Sequence, residues 1–102
     1  MNIYEIMGDT IVISLPKEVD DYRASIIIEN TNKAFADERI RHVVFDFKET
    51  CFMDSSGIGL ITRRFRDVYD RGGTAAVVNV NPRIDKILLM SGIYKIADKL
   101  DK

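Results

Sequence analysis

The sequence has one cysteine, one histidine and no long apolar run. The lone cysteine, Cys51, excludes an internal disulfide and suits a reducing compartment, so a cytoplasmic protein is expected. The lone histidine, His42, has no second metal ligand or nucleophile at a useful spacing, and a structural place at a strand edge is expected of it. No apolar stretch approaches the roughly 20 residues of a membrane span, so no membrane partner is expected. Met1-Asn2-Ile3-Tyr4-Glu5 lacks the basic-then-apolar pattern of a secretory signal. Charge of one sign is missing too. A net charge of -1 argues against direct nucleic-acid binding, which needs a concentrated basic surface. Arg63, Arg64 and Arg66 do cluster, and on a helix they are expected to form a solvated face. Linkers, internal repeats and low-complexity segments are absent.

What remains is the composition of a folded domain. An apolar share of 46% beside a charged share of 30% excludes a disordered segment, and residues 1–102 are expected to form one domain with one core. Ile3, Tyr4 and Ile6, then Ile11, Ile13 and Leu15, flank Gly8-Asp9, a strong hairpin signal, and Pro16 ends the second strand. Asp20 and Asp21 open a helix at its positive end, and Ala24, Ile27, Ile28, Thr31, Ala34 and Phe35 continue it to about Ala36. A buried strand follows over 42–47, and a second helix from about Ser56 to Tyr69 closes at Gly72-Gly73. The apolar run 74–80 is another strand. Asn81-Pro82 then caps a third helix, with Ile84, Ile87 and Leu88 inward and Gly92 as its stop. Ile93, Tyr94 and Ile96 suggest a short strand or extended segment, and 99–102 a frayed end. The order is β-β-α-β-α-β-α with a short tail. This is an α/β fold, and its right-handed crossovers demand a sheet that is at least partly parallel.

Chemistry concentrates where the strand at 43–47 meets the second helix. The run Cys51-Phe52-Met53-Asp54-Ser55-Ser56-Gly57-Ile58-Gly59 places one carboxylate and two hydroxyls beside unpaired helix amides. One of them suffices as a cap. The surplus, followed by two glycines that let another molecule near the backbone, marks a functional candidate. Neither serine has a glycine two residues before it, so the hydrolase elbow Gly-x-Ser-x-Gly is not met. Gly57-Ile58-Gly59 begins like a dinucleotide fingerprint, but Thr62 replaces the third glycine and Asn79 the acidic residue that should end the next strand. No phosphate-binding glycine-lysine loop and no Cys/His metal spacing occurs. No cofactor, metal or enzymatic activity is expected.

Such a turn serves better as a substrate. Phosphorylation adds about -1.5 to -2 charge and three acceptor oxygens. Helix N-terminal amides tolerate an anion, but a partner that presents a carboxylate or apolar atoms there is repelled. Phe52, Met53, Ile58, Leu89 and Met90 are candidates for a partly exposed apolar patch beside the turn, with Met53 and Ile58 nearest the serines.

Phe52 to Gly59, with Arg71-Gly72-Gly73 and Met90-Ser91-Gly92-Ile93, resembles the STAS family, and within it the anti-sigma-factor antagonists of the sporulation type. The resemblance runs from about Ile11 to Ile96. It implies a STAS-like mixed β-sheet of four to five strands with helices packed on it. It further implies that the unphosphorylated protein binds an anti-sigma factor that is also a serine kinase, releasing the sigma factor. Phosphorylation of Ser55, the first serine of the Asp-Ser-Ser-Gly block, then ends binding, and a separate serine phosphatase resets it. Asp20, Met53, Asp54, Ser56, Gly57 and Ile58 are the expected partner-binding residues, with Ser56 expected mainly to cap the helix. A monomer is expected when free. Two departures stand out: Lys17 follows Pro16 where the family carries a glycine, and its final helix is largely missing. Two further readings remain open, a scaffold or stress-signalling subunit of a larger assembly and a small-ligand or nucleotide-binding module.

Overall fold

The structure, a computed structural model, describes residues 3–100. Strands β1 (Tyr4–Met7) and β2 (Thr10–Ser14) form the hairpin, and a two-residue strand β3 (Glu18–Val19) leads into helix α1 (Asp21–Phe35). After β4 (His42–Asp46) comes a second two-residue strand, β5 (Phe52–Met53), then helix α2 (Ser55–Tyr69) and strand β6 (Thr74–Val78). Helix α3 (Pro82–Met90), a 3-10 turn (Ile93–Lys95) and strand β7 (Ala97–Lys99) complete the described chain.

Five strands make the main sheet in the order β1-β2-β4-β6-β7, with only β1 antiparallel to its neighbour. The crossovers through α1, α2 and α3 all step the same way across this sheet, so their right-handedness puts the three helices on one face. The side chains agree. Ile11, Ile13, Val43, Phe45, Ala75, Val77 and Ala97 are buried beneath the helices, while Val12, Val44 and Val78, pointing the other way, are only half-buried. Ala24, Ile27 and Phe35 of α1, Leu60, Ile61 and Val68 of α2, and Ile84 and Leu88 of α3 close the core. The fold is the mixed α/β sheet expected of the sequence, with five strands.

His42 opens β4, its Nδ1 2.8 Å from Thr74 Oγ1 on the adjacent strand. Arg71, just past α2, donates to the carbonyls of Phe35, Asp37 and Ile40 and so satisfies the end of α1.

Three expectations require correction. The segment 93–96 is not extended but a 3-10 turn, and the strand comes after it. Lys99, expected to fray, is paired with Val77, and the Leu100 amide donates to the Val77 carbonyl; residues 101–102 lie outside the described residues. The arginine cluster is not wholly solvated, because Arg64 is 2% exposed. Its guanidinium lies 4.4 Å above the Phe35 ring and donates to the Ile28 carbonyl, Thr31 Oγ1, Asn32 Oδ1 and Asp67 Oδ2. It locks α2 to α1, and its burial lowers its pKa.

Candidate functional site

The site is built by the two shortest strands. β3 and β5 pair in parallel, Glu18 with Phe52 and Val19 with Met53, as a separate two-stranded sheet. The residue after each pair is an aspartate that caps a helix. Asp20 Oδ1 accepts from the Arg23 amide at 2.9 Å, and Asp54 Oδ1 from the Ser56 amide at 2.8 Å. The parallel register thus brings the mouths of α1 and α2 side by side. The loop before β5 is fixed from below: buried Thr50 donates to the Pro16 carbonyl, and Asn81, the cap of α3, donates to the Thr50 carbonyl.

The two serines are not equivalent. Ser56 is half-buried and its hydroxyl donates across to Asp21 Oδ1 at 3.2 Å. Ser55, the first residue of α2, is exposed, and its hydroxyl has no hydrogen-bond partner among the described residues. The expectation that Ser56 caps the helix is overturned. Asp54 is the cap, because its carboxylate reaches the second helical amide while the Ser56 side chain is turned toward α1.

Carboxylates surround this mouth. Asp20 is gripped by the Arg23 amide and guanidinium, which hold its pKa below the usual range, and Glu18 stands 3.6 Å from the same guanidinium. Asp21 and Asp54 have no cation within 4.0 Å among the described residues. In the sequence Asp21 reads only as a helix signal, and Arg23 carries no local mark of its role. The Tyr22 side chain is exposed in the first turn of α1. Acidic residues at a helix start read as dipole partners, and nothing local shows that one of them faces a second helix.

Two expected surface residues lie underneath. Met53 is 3% exposed, the opposite of the exposure expected for it. In a strand of two residues one side chain must point in, and here Phe52 points out while Met53 packs below the turn. Gly57 is also buried, and a Cβ there would overlap Met53 Cγ and Sδ and lie 3.1 Å from Val19 Cγ1. Its missing side chain makes room for Met53, not for an approaching molecule. Of these two glycines, Gly59 alone leaves bare backbone facing outward, with nothing within 4 Å of its Cβ position. Ile58 is half-buried against the core. The apolar patch is therefore Phe52, Leu89 and Met90, exposed by 46%, 64% and 77%, where β5 packs beside α3.

Among the described residues no three His, Cys, Asp or Glu side chains gather to hold a metal ion, and no helix is long and apolar enough to cross a membrane. The arrangement offers one accessible hydroxyl in an acidic setting beside exposed apolar side chains.

Known proteins resemble this chain in sequence and fold. The STAS domain profile matches residues 2–102. The anti-sigma F factor antagonist of Paenibacillus polymyxa is 34% identical over 86 residues, which is 84% of this chain and 74% of that protein. The anti-sigma factor antagonist SpoIIAA in its unphosphorylated form superposes with a TM-score of 0.79 at 25% identity, over 97% of this chain and 86% of that one. The phosphorylated form of SpoIIAA, described as a Bacillus cell fate determinant, gives 0.78 at 27% identity, over 97% and 88% of the two chains.

Proposed function

The chain belongs to the STAS domain family, and from that premise we propose that it is an anti-sigma factor antagonist switched by phosphorylation of Ser55. Residues 1–102 act as a single STAS domain in the cytoplasm, as a binding partner and substrate and not as a catalyst. The unphosphorylated form binds a serine-kinase anti-sigma factor, which frees the sigma factor. The kinase then modifies Ser55, the complex separates, and a serine phosphatase restores the starting form.

The observation that carries this reading is the contrast between the two hydroxyls. Ser55 is exposed and unengaged at the start of a helix, whereas Ser56 is tied to Asp21. A phosphate on Ser55 sits at a helix N-terminus, where the dipole favours an anion, so the fold withstands it. Outside, the same group adds about -1.5 to -2 charge to a mouth that already carries Asp20, Asp21 and Asp54. A partner that tolerates three carboxylates then meets nearly five negative charges. That two forms of SpoIIAA match this chain almost equally well supports a modification that alters the surface and not the fold. The partner contacts Asp20, Asp54, Ser56 and Ile58 around the mouth and the patch of Phe52, Leu89 and Met90 beside it. Met53 and Gly57 shape the contact from beneath.

Incubating the protein with a serine-kinase anti-sigma factor and ATP, then mapping the phosphate by mass spectrometry, tests the site. Modification at Ser55 is expected, and at any other residue it refutes the assignment. Ser55→Ala should keep its affinity for the kinase, while Ser55→Asp should lose about tenfold or more, equivalent to about 1.4 kcal/mol. Equal affinities would defeat the charge argument.

A further inference from the structure

The face of the main sheet turned away from the helices carries a pattern that the serine turn does not use. Strand register lays Glu5, Val12, Val44, Ala76 and Asp98 in one row across all five strands. Four gaps of about 4.8 Å make the row about 19 Å long. Its centre is apolar and both ends are acidic. Asp46, in the next row beside Val78, adds a third carboxylate to this face. Among the described residues, none of these three carboxylates has a basic side chain within 4.0 Å.

Charge selects the occupant. A second copy laid sheet to sheet would set carboxylates against carboxylates at both ends of the row, which interfaces avoid. An amphipathic helix laid along the row covers the three apolar side chains and reaches both ends with lysine or arginine. At 1.5 Å per residue, about 13 residues span it. We infer that this open sheet face docks a basic amphipathic helix presented by a partner protein. The serine turn lies among the helix starts, so the two contacts do not compete, and phosphorylation of Ser55 leaves this one unchanged.

The probe is a synthetic helix of about 16 residues, with leucines along one face, lysines near both ends and alanine elsewhere. Titrated into the full chain and followed by amide NMR, it should shift Val12, Val44, Ala76 and Val78. Ser55→Asp should bind it as wild type does. The double variant Glu5→Lys/Asp98→Lys should bind at least tenfold more weakly, and the same peptide with glutamates at its ends should not bind. Should the double variant fail to fold, the nearly isosteric Val44→Thr reads the same row through its apolar centre and should also weaken binding. Absence of binding to wild type, shifts confined to the helices, variants that bind as wild type does, or a sheet-to-sheet dimer in sedimentation would each overturn the inference.

Discussion

Substituting Gly57 by alanine tests whether the serine turn is shaped from beneath by Met53. On propensity alone the change should help, because alanine in a helix is better than glycine by about 0.8–1.0 kcal/mol. The packing says otherwise. The new methyl would overlap Met53 Cγ and Sδ and sit 3.1 Å from Val19 Cγ1, while Met53 is 3% exposed and has little room to retreat. Overpacking of this kind costs about 1–3 kcal/mol, so once the helix gain is subtracted a net loss of up to about 2 kcal/mol is expected for Gly57→Ala. Met53→Ala alone should cost about 2–5 kcal/mol by leaving a cavity under the turn. In the double variant the added methyl occupies space that the Met53 side chain has vacated. The clash disappears, the helix gain remains, and the pair should be less damaging than the sum of its parts by about 1–3 kcal/mol. Urea unfolding of the wild type and three variants, with unchanged slopes, measures the coupling. Additivity within about 0.5 kcal/mol would show that Gly57 and Met53 are not in the contact described.

Two further results are expected. Arg64→Lys cannot reproduce the planar fork that makes four polar contacts. It should lose at least two of them, about 3 kcal/mol at roughly 1.5 each, and an unchanged urea midpoint would refute the role of Arg64 as the lock between α1 and α2. Asp37, hydrogen-bonded by the Arg39 side chain and amide, is held down to about 2 from an ordinary 3.8, and Asp20 and Asp85 are also lowered. Their folded pKa values lie below the unfolded ones, so the unfolded chain takes up protons first. The stability they contribute is present above about pH 4 and is lost as the pH falls toward 2. Thermal midpoints recorded between about pH 5 and pH 2 should fall, less steeply for Asp37→Asn, and a flat profile would contradict these shifts.

Elements with their own period or punctuation were legible in the sequence. The Gly8-Asp9 hairpin, the strand from His42, the three helices and the Asn81-Pro82 start all stand within a residue or two of where pattern places them. What escaped depends on distant partners. β3 and β5 are too short to show any alternation, and each is a strand only because the other lies beside it. β7 has no β-branched residue and gains its strand state from pairing with Ala75 to Val77. Arg64 reads as one more charge on a basic helix face. Its burial is decided by Phe35, Thr31 and Asn32, about thirty residues earlier in the chain. At the site, the residue types marked the right turn, but which serine is engaged turns on Asp21 of another helix.

The in-register pairing of β3 with β5 makes the starts of two helices near replicas of each other. Asp20 answers to Asp54, and one step on, Asp21 answers to Ser55. One helix therefore carries a permanent negative charge at a place where its twin carries a neutral hydroxyl. A molecule resting on both reads a fixed member and an optional one, and phosphate on the second would turn a lopsided pair into a matched one. Exchanging the residues, Asp21→Ser with Ser55→Asp, would leave the sum of charges alone and reverse which helix bears it. The gap between neighbouring helix axes, about 8–10 Å, is then the distance over which a partner must tell the two forms apart.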